Sequence, residues 1–453
     1  MGRITLQQAA DWCGGKINPK YANTVFVGAS NDSRSIQPGQ LFVAIKGERD
    51  GHDFIPKAIQ NSAAAILCSR CNEDIPAIIV DDPLKALGDI ARQERLRIGM
   101  KVVGVTGSVG KSTTKELIAC VLSGERRVAK TPANHNNNIG MPMALLAMPE
   151  DTEIAVVEMG MNHFREIAYL SSISQPDLAV IINIGTMHIE HLGSQEGILQ
   201  AKLEILEGMK EGSRIFLNGD DNLLWNVSGK LRVPVTYFGA RNCECSVLAT
   251  NVTETQGALS FDVTAGNKPF SVSLQLEGTH YVPDALAAIA VGLSLGVTPE
   301  QIADRLSTFQ NLAGRQEIFE AKGYTIIKDC YNAGPESMAA ALAVLGKKEG
   351  RHVAVLGDML ELGVCTQAEH YRVGRIAAEK AQIVLAYGPN SRRIISGALT
   401  GGMPDTKAMA FEDRDQLVAT LKRMAKPGDV ILFKGSHGMH MELALEKFLS
   451  DET

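Results

Sequence analysis

The sequence predicts an α/β protein built on parallel sheets and divided into three blocks. Short apolar, β-branched runs alternate with amphipathic helical stretches along most of the chain. The 453 residues exceed what one ordinary core organises and call for about two to four domains. A strand, a glycine-rich loop and a helix follow one another directly at residues 101–122, as at the ligand-binding edge of an open parallel sheet.

Block one covers residues 1–82, with helices over Leu6 to Cys13 and Phe54 to Asn61 and strands over Leu41 to Ile45, Ala63 to Cys68 and Ala77 to Val80. Block two covers 83–313. It opens with a helix over Pro83 to Ile98 and has strands over Val102 to Val105, Ile154 to Val157, Leu178 to Asn183 and Arg214 to Leu217. A β-rich stretch, Cys243 to Leu276, and an Ala-rich helix, Pro283 to Leu295, complete it. Block three covers 314–453, with strands over Thr325 to Lys328, His352 to Leu356, Ile383 to Ala386 and Asp429 to Phe433 and helices between them. Gly314–Arg315 is the expected second hinge.

Composition narrows the function. A net charge of −6 without any basic tract argues against nucleic acid as a partner. No apolar run approaches the ~20 residues of a membrane span, so no membrane insertion is expected. The opening Met-Gly-Arg-Ile-Thr-Leu-Gln-Gln lacks the apolar stretch of a signal peptide, and the eight scattered cysteines read as reduced thiols, so a cytoplasmic monomer is expected. Cys68 and Cys71 have Cys-x-x-Cys spacing, but no second pair or histidine partners accompany them.

The chemistry starts at Gly107-Ser-Val-Gly-Lys-Ser-Thr113, a shortened phosphate loop with Val105 where the longer pattern has glycine. Its backbone N–H groups and the following helix N-terminus suit phosphate oxygens. Lys111 reaches outward, and the Ser112 hydroxyl suits Mg²⁺. Glu158 ends an apolar strand and is placed to bind the same ion. Asn183 and His188 follow another apolar strand, where a histidine is either structural or functional. Thr131-Pro-Ala-Asn-His-Asn-Asn-Asn-Ile-Gly140 is either a capped turn or a polar grip on phosphate and substrate, through Asn134, Asn136 and Asn137. Lys202 falls in the middle of the apolar stripe of a helix expected over Gly197 to Met209, between Leu199 and Leu206. Either its stem is buried and its head snorkels to water, or burial lowers its pKa. A neutral amine can take up CO₂ as a carbamate, which is an oxygen ligand.

Taken in order, Thr106-Gly-Ser-Val-Gly-Lys-Ser-Thr113, Asn134-x-Asn-Asn137, Glu158-Met-Gly160, Asn183-Ile-Gly-x-x-His188 and Ala201-Lys-x-Glu204 resemble the motifs of the Mur ligases, ATP-dependent amide-forming enzymes of bacterial cell-wall precursor synthesis. Asp329-Cys-Tyr-Asn-Ala-Gly-Pro-Glu-Ser337, Gly357-Asp-Met-Leu-Glu-Leu-Gly363 and Lys434-Gly-Ser436 resemble the branch that joins D-alanyl-D-alanine to a UDP-N-acetylmuramoyl-tripeptide. Asp32-Ser-Arg34, Lys46-Gly-Glu48 and Asp50-Gly-His-Asp-Phe54 are similar to its first domain.

The resemblance implies a small α/β UDP-substrate domain, a central P-loop parallel-sheet ATPase domain and a C-terminal Rossmann-like α/β domain that binds the acceptor. It implies ATP contacts at Gly107, Ser108, Val109, Gly110, Lys111, Ser112, Thr113, Arg315 and Asp329. It further implies two Mg²⁺ sites, one at Ser112 and Glu158 and one at His188 and a carbamylated Lys202, with Lys111, His188 and Lys202 catalytic. Substrate contacts are implied for Ser33, Arg34, Lys46, Asp50, His52, Asn134, Asn136, Asn137, Tyr331, Asn332 and Lys434. Tyr281 and Asp284 stand where the family has asparagines, and His437 stands where arginine is expected. The alternatives weighed are a sister ligase, whose Asp-Asn-Pro-Arg motif is matched only faintly by Gly388-Pro-Asn-Ser-Arg392, a folylpolyglutamate synthase, which would not explain block one, and a regulatory phosphate-loop ATPase, which would not need Lys202.

Overall fold

In a computed structural model the chain is described over residues 3–450, apart from 72–73, 256, 267 and 313. Three main sheets carry the fold. A four-stranded parallel sheet takes the order Ala29–Ser30, Leu41–Val43, Ala65–Cys68, Ala77–Ile79. A nine-stranded sheet has the phosphate-loop strand Lys101–Thr106 between Leu178–Ile181 and Ile154–Glu158. It continues outward on the first side through Arg214–Asn218 and Val235–Gly239 to a meander, Val247–Thr255, Ala258–Ala265 and Lys268–Leu274. A six-stranded sheet sets Asp429–Lys434 between Tyr324–Asp329 and Arg351–Gly357. The α/β architecture with parallel sheets is therefore the one expected from the sequence. The expected boundary at residue 313 lies outside the described residues.

Alternation explains why the central strands read as continuous apolar runs. Val102, Ala155, Val157, Ala179 and Ile181 face one core; Val103, Val105, Ile154, Val156 and Val180 face the other. Helix Val282–Ser294, buried along most of its length, packs on Lys111–Leu122 over the second face. Helix Pro83–Ile98 lies over the first and also meets helix Leu6–Cys13, so the first block and the central sheet share one apolar core. Its ends were written locally. Asp82 accepts from the N–H groups of Leu84 and Lys85, and Gly99 closes the helix at φ 75°. Strands of the third block alternate in the same way between two cores of their own, which contain no residue of the central sheet.

The helix expected to run to Met209 is α-helical only over Gln195–Leu203 and tightens to a 3₁₀ turn at Glu204–Gly208. The cause is tertiary. The Ser171 hydroxyl donates to Ile205 O at 2.5 Å, and Gly208 packs so closely that a Cβ there would sit 2.0 Å from Ser171 O. Glu204 accepts from the Arg165 and Ala168 N–H groups at 2.8 and 3.2 Å, which ties the turn to helix Glu166–Ser174.

Helices Thr366–Lys380 and Ser391–Thr400 cross glycine to backbone. A Cβ on Gly374 would lie 1.9 Å from Ile394 O, and one on Gly397 would lie 2.0 Å from Tyr371 O. Gly374→Ala is expected to destabilise the third block by about 1–3 kcal/mol through overpacking. Thermal unfolding should report an earlier transition, and an unchanged profile would show that the helices can part without penalty.

Candidate active site

The carboxyl ends of the central and C-terminal sheets face each other across a cavity of about 720 Å³. This is where an open α/β sheet binds ligands. On the central side, Gly110 takes φ 84° and ends the phosphate loop at the N-terminus of helix Lys111–Leu122. Asn183 holds the loop in shape. Its Oδ1 accepts from the Ser108 and Val109 N–H groups, both at 3.0 Å, and its Nδ2 donates to Val109 O at 3.1 Å. Lys111 Nζ folds back on the loop and donates to Gly107 O and Ser108 O at 2.9 and 3.1 Å. Desolvation holds its pKa below the ordinary lysine value; the Glu158 charge opposes that shift and Arg315 adds to it. The loop N–H groups and the helix N-terminus thus form a preorganised anion cradle of the kind that suits phosphate.

Glu158 is buried at the end of its strand with both oxygens occupied. Oε2 accepts from Ser112 Oγ at 2.7 Å, and Oε1 accepts from Asn136 Nδ2 at 2.8 Å. Its N–H donates to Thr131 Oγ1, a partner the sequence did not single out. Asn134, Asn136 and Asn137 all line the cavity, although Asn137 also caps helix Gly140–Leu146 by accepting from Gly140 N at 2.7 Å.

The C-terminal sheet supplies the opposite wall. Arg315 Nη2 donates to Ser112 Oγ at 2.8 Å, and its guanidinium lies 4.0 Å from the centre of the Tyr331 ring. Asp329 and Lys434, paired in register at neighbouring strand ends, form an ion pair at 2.6 Å. Lys434 also donates to Asn332 O. Two further contacts cross the cleft. The Thr186 N–H and hydroxyl donate to Glu336 Oε1, both at 3.2 Å. His188 Nδ1 lies 2.6 Å from Glu361 Oε2. His188 holds the Glu361 carboxyl below its usual pKa. His188 and Glu361 both carry left-handed backbones, at φ 63° each. Glu336 and Glu361 lie inside two of the motifs quoted from the sequence, but neither side chain was assigned a role there.

Lys202 is 2% exposed, as its place in the stripe predicts. Burial, aided by the charge of Lys111, drives its pKa well below the ordinary value. The other fully buried lysines are compensated: Lys115 donates to Thr131 O, and Lys434 pairs with Asp329. Among the described residues none makes a hydrogen bond or ion pair with Lys202 Nζ. The expected first-domain residues gather elsewhere. Asp50 lies 2.6 Å from His52 and pairs with Arg70, the backbones of Lys46 and Asp50 form an isolated antiparallel β-bridge, Ser33 is buried, and Arg34 projects outward beside Asp32. None of them lines the cavity. His437 sits 6.3 Å, ring to ring, from Tyr331.

Three family models match the chain: the Mur ligase middle domain over residues 105–292, the Mur ligase glutamate ligase domain over 314–437 and the Mur ligase family catalytic domain over 26–95. The chain is 40% identical over 461 residues to the UDP-N-acetylmuramoyl-tripeptide–D-alanyl-D-alanine ligase of Bacillus subtilis (strain 168), covering 98% of this chain and 97% of that protein. It is 36% identical to the protein of the same name from Escherichia coli (strain K12), with 97% of each covered. Among solved structures, MurF from Acinetobacter baumannii superposes with a TM-score of 0.91 at 31% identity over 99% of both chains. MurF ligase from Thermotoga maritima in complex with ADP gives 0.83 at 30% identity, covering 93% of this chain and 97% of that one.

Asp284 introduces a pH dependence. Its buried carboxyl abuts Gly110, where a Cβ would lie 2.5 Å from Oδ1. Burial pushes its pKa up to about 8, with Thr114 and Arg315 pulling the other way. Below that pH the folded protein holds a proton that the unfolded chain releases in the ordinary carboxylate range, so this group's contribution to stability falls as pH rises towards 8. Above 8 an anion stands against the phosphate loop. Nucleotide affinity is therefore expected to weaken through pH 8, and Asp284→Asn should flatten both trends. Titration calorimetry and melting curves across pH 6–9 check this; a variant that keeps the wild-type pH profiles would clear Asp284 of the role.

Proposed function

The chain belongs to the Mur ligase family, and from that premise we propose that it joins D-alanyl-D-alanine to a UDP-N-acetylmuramoyl-tripeptide, at the expense of ATP, in peptidoglycan precursor synthesis. The observation that carries the reading is the run Glu158–Ser112–Arg315, which brings a residue just ahead of the first C-terminal strand, Glu317–Ala321, onto the start of the phosphate-loop helix. A binding module has no need of a second domain there; a two-substrate ligase does.

The tripeptide's terminal carboxylate attacks the γ-phosphorus of ATP, and ADP leaves. The dipeptide's amine then attacks the acyl carbon of the resulting acyl phosphate, and inorganic phosphate leaves. The first step brings two anions together, so charge neutralisation dominates its barrier. Lys111 moves from the loop carbonyls to the outer phosphates, while Arg315 and Asp329 hold the nucleotide from the opposite wall. Ser112 and Glu158 are an oxygen donor pair already beside one cation, the Arg315 guanidinium, and this fits Mg²⁺. His188 with Lys202 would complete a second Mg²⁺ site only with Lys202 carbamylated, since a free lysine is a poor ligand for a hard cation. When bound, these ions withdraw charge from the phosphoryl and carboxylate oxygens.

We assign residues 1–82 to the UDP moiety through Ser33, Arg34, Lys46, Asp50 and His52, residues 83–313 to ATP, and residues 314–453 to the dipeptide through Tyr331, Asn332 and Lys434. Asn134, Asn136 and Asn137 line the path between them. We place it in the cytoplasm as a monomer; separately, no described helix is long and apolar enough to cross a membrane.

Phosphate release should require both the UDP-linked tripeptide and the dipeptide. Lys111→Ala is expected to lower turnover by ~10²–10³, with the fold intact by circular dichroism. Near-normal turnover would remove the loop from the mechanism. Lys202→Ala should lose most activity and be partly restored by a short carboxylic acid. A ¹³C carbamate resonance, seen in the wild type with labelled bicarbonate, should vanish in the variant. Full activity in Lys202→Ala, or no such resonance in the wild type, would return Lys202 to a structural role.

A further inference from the structure

Glu336 stands two residues into helix Pro335–Leu345 and projects across the cleft onto the segment after strand Leu178–Ile181. A Cβ on Gly185 would lie 3.1 Å from its carboxyl carbon and 3.1 Å from Ser108 Cβ, which puts the carboxyl beside the phosphate loop. Oε1 is satisfied by Thr186; Oε2 is buried without any hydrogen-bond partner. A carboxylate oxygen desolvated in this way is costly unless a cation meets it.

The other carboxylates that line the cavity are committed. Glu158 is held by Ser112 and Asn136, and Asp329 by Lys434. Glu166 accepts from the Asn162 and His163 N–H groups, and Asp284 is closed against Gly110. Nor does Glu336 belong to a metal-binding cluster: among the described residues no three His, Cys, Asp or Glu side chains are grouped to hold an ion. A lone carboxylate flanked by Gly334 and Met187 suits a monovalent ammonium better than a divalent ion.

We propose that Glu336 Oε2 receives the ammonium group of the acceptor dipeptide and takes the proton that must leave before the amine can attack. The inference rests on the ligase reading above. The proton passes from the ammonium nitrogen to Oε2, which leaves a neutral amine. The nitrogen lone pair forms the C–N bond, the bond from the acyl carbon to the phosphate oxygen breaks, and phosphate departs with that electron pair and the second N–H proton. Glu336 then releases its proton to water.

The test separates the two half-reactions in the full-length enzyme. Glu336→Gln keeps the shape and removes the charge. It is expected to raise KM for D-alanyl-D-alanine on the order of 10²-fold, as for a desolvated charge pair that loses one partner. Positional isotope exchange in ATP, driven by the UDP-linked tripeptide alone, should stay close to wild type. Its kcat/KM for the dipeptide should climb with pH towards the dipeptide's own amine pKa, because only free amine then binds and reacts. Should the glutamine variant fail to fold, Glu336→Asp, which withdraws the charge by one methylene, is expected to raise the same KM with exchange preserved. An unchanged dipeptide KM in the folded variant overturns the inference. So does isotope exchange that falls in step with ligation, which would assign Glu336 to the nucleotide or its metal. A wild-type enzyme without dipeptide-dependent ligation overturns the ligase reading itself, and the inference falls with it.

Discussion

A carboxylate at the end of a buried strand needs compensation from somewhere, and the way Glu158 obtains it organises this molecule. One oxygen is taken by Ser112, the other by Asn136, and its own N–H is fixed by Thr131. Two separate segments are thereby tied to one point: the start of the phosphate-loop helix and the asparagine-rich stretch, held at both Thr131 and Asn136. Ser112 in turn accepts from Arg315, some 203 residues away along the chain. Without Glu158 the cleft would lose a buried carboxylate and the point that holds Ser112 and Asn136 together.

Buried positive charge follows a complementary logic. Lys115 and Lys434 are each paired, and Lys111 rests on loop carbonyls that a nucleotide would replace. Only Lys202, among the fully buried lysines described, lacks a polar partner. A bare ammonium is costly in a protein interior, and burial accordingly pulls the pKa of this lysine well below the ordinary value.

How far the sequence reached depended on how local each determinant is. The phosphate loop is contiguous, and its flanking strand and helix announce themselves by periodicity. Helix Pro83–Ile98 was legible to the residue because Asp82 and Gly99 cap it. The stripe around Lys202 gave its burial, but the end of that helix escaped, because Ser171 and Gly208, brought together only by folding, tighten the turn. Glu336 and Glu361 stood inside quoted motifs, yet their individual contacts were illegible for the same reason. Each acquires its meaning from a neighbour on another sheet, Thr186 for one and His188 for the other. The roles of the first-domain residues rest on resemblance, since the cavity does not reach them.

The two joints of the molecule are made of different material. Helix Pro83–Ile98 welds the first block to the central sheet through a shared oily core. The C-terminal block meets the central one through polar and charged contacts: Arg315 with Ser112, Glu336 with Thr186, Glu361 with His188, Lys347 with Glu254 and Lys348 with Glu277. Charged seams are screened by dissolved ions within about 10 Å at 0.1 M salt, whereas an apolar seam has no charge pair to screen. Ionic strength is thus a selective handle on this architecture. It weakens the charged seam without weakening the apolar one.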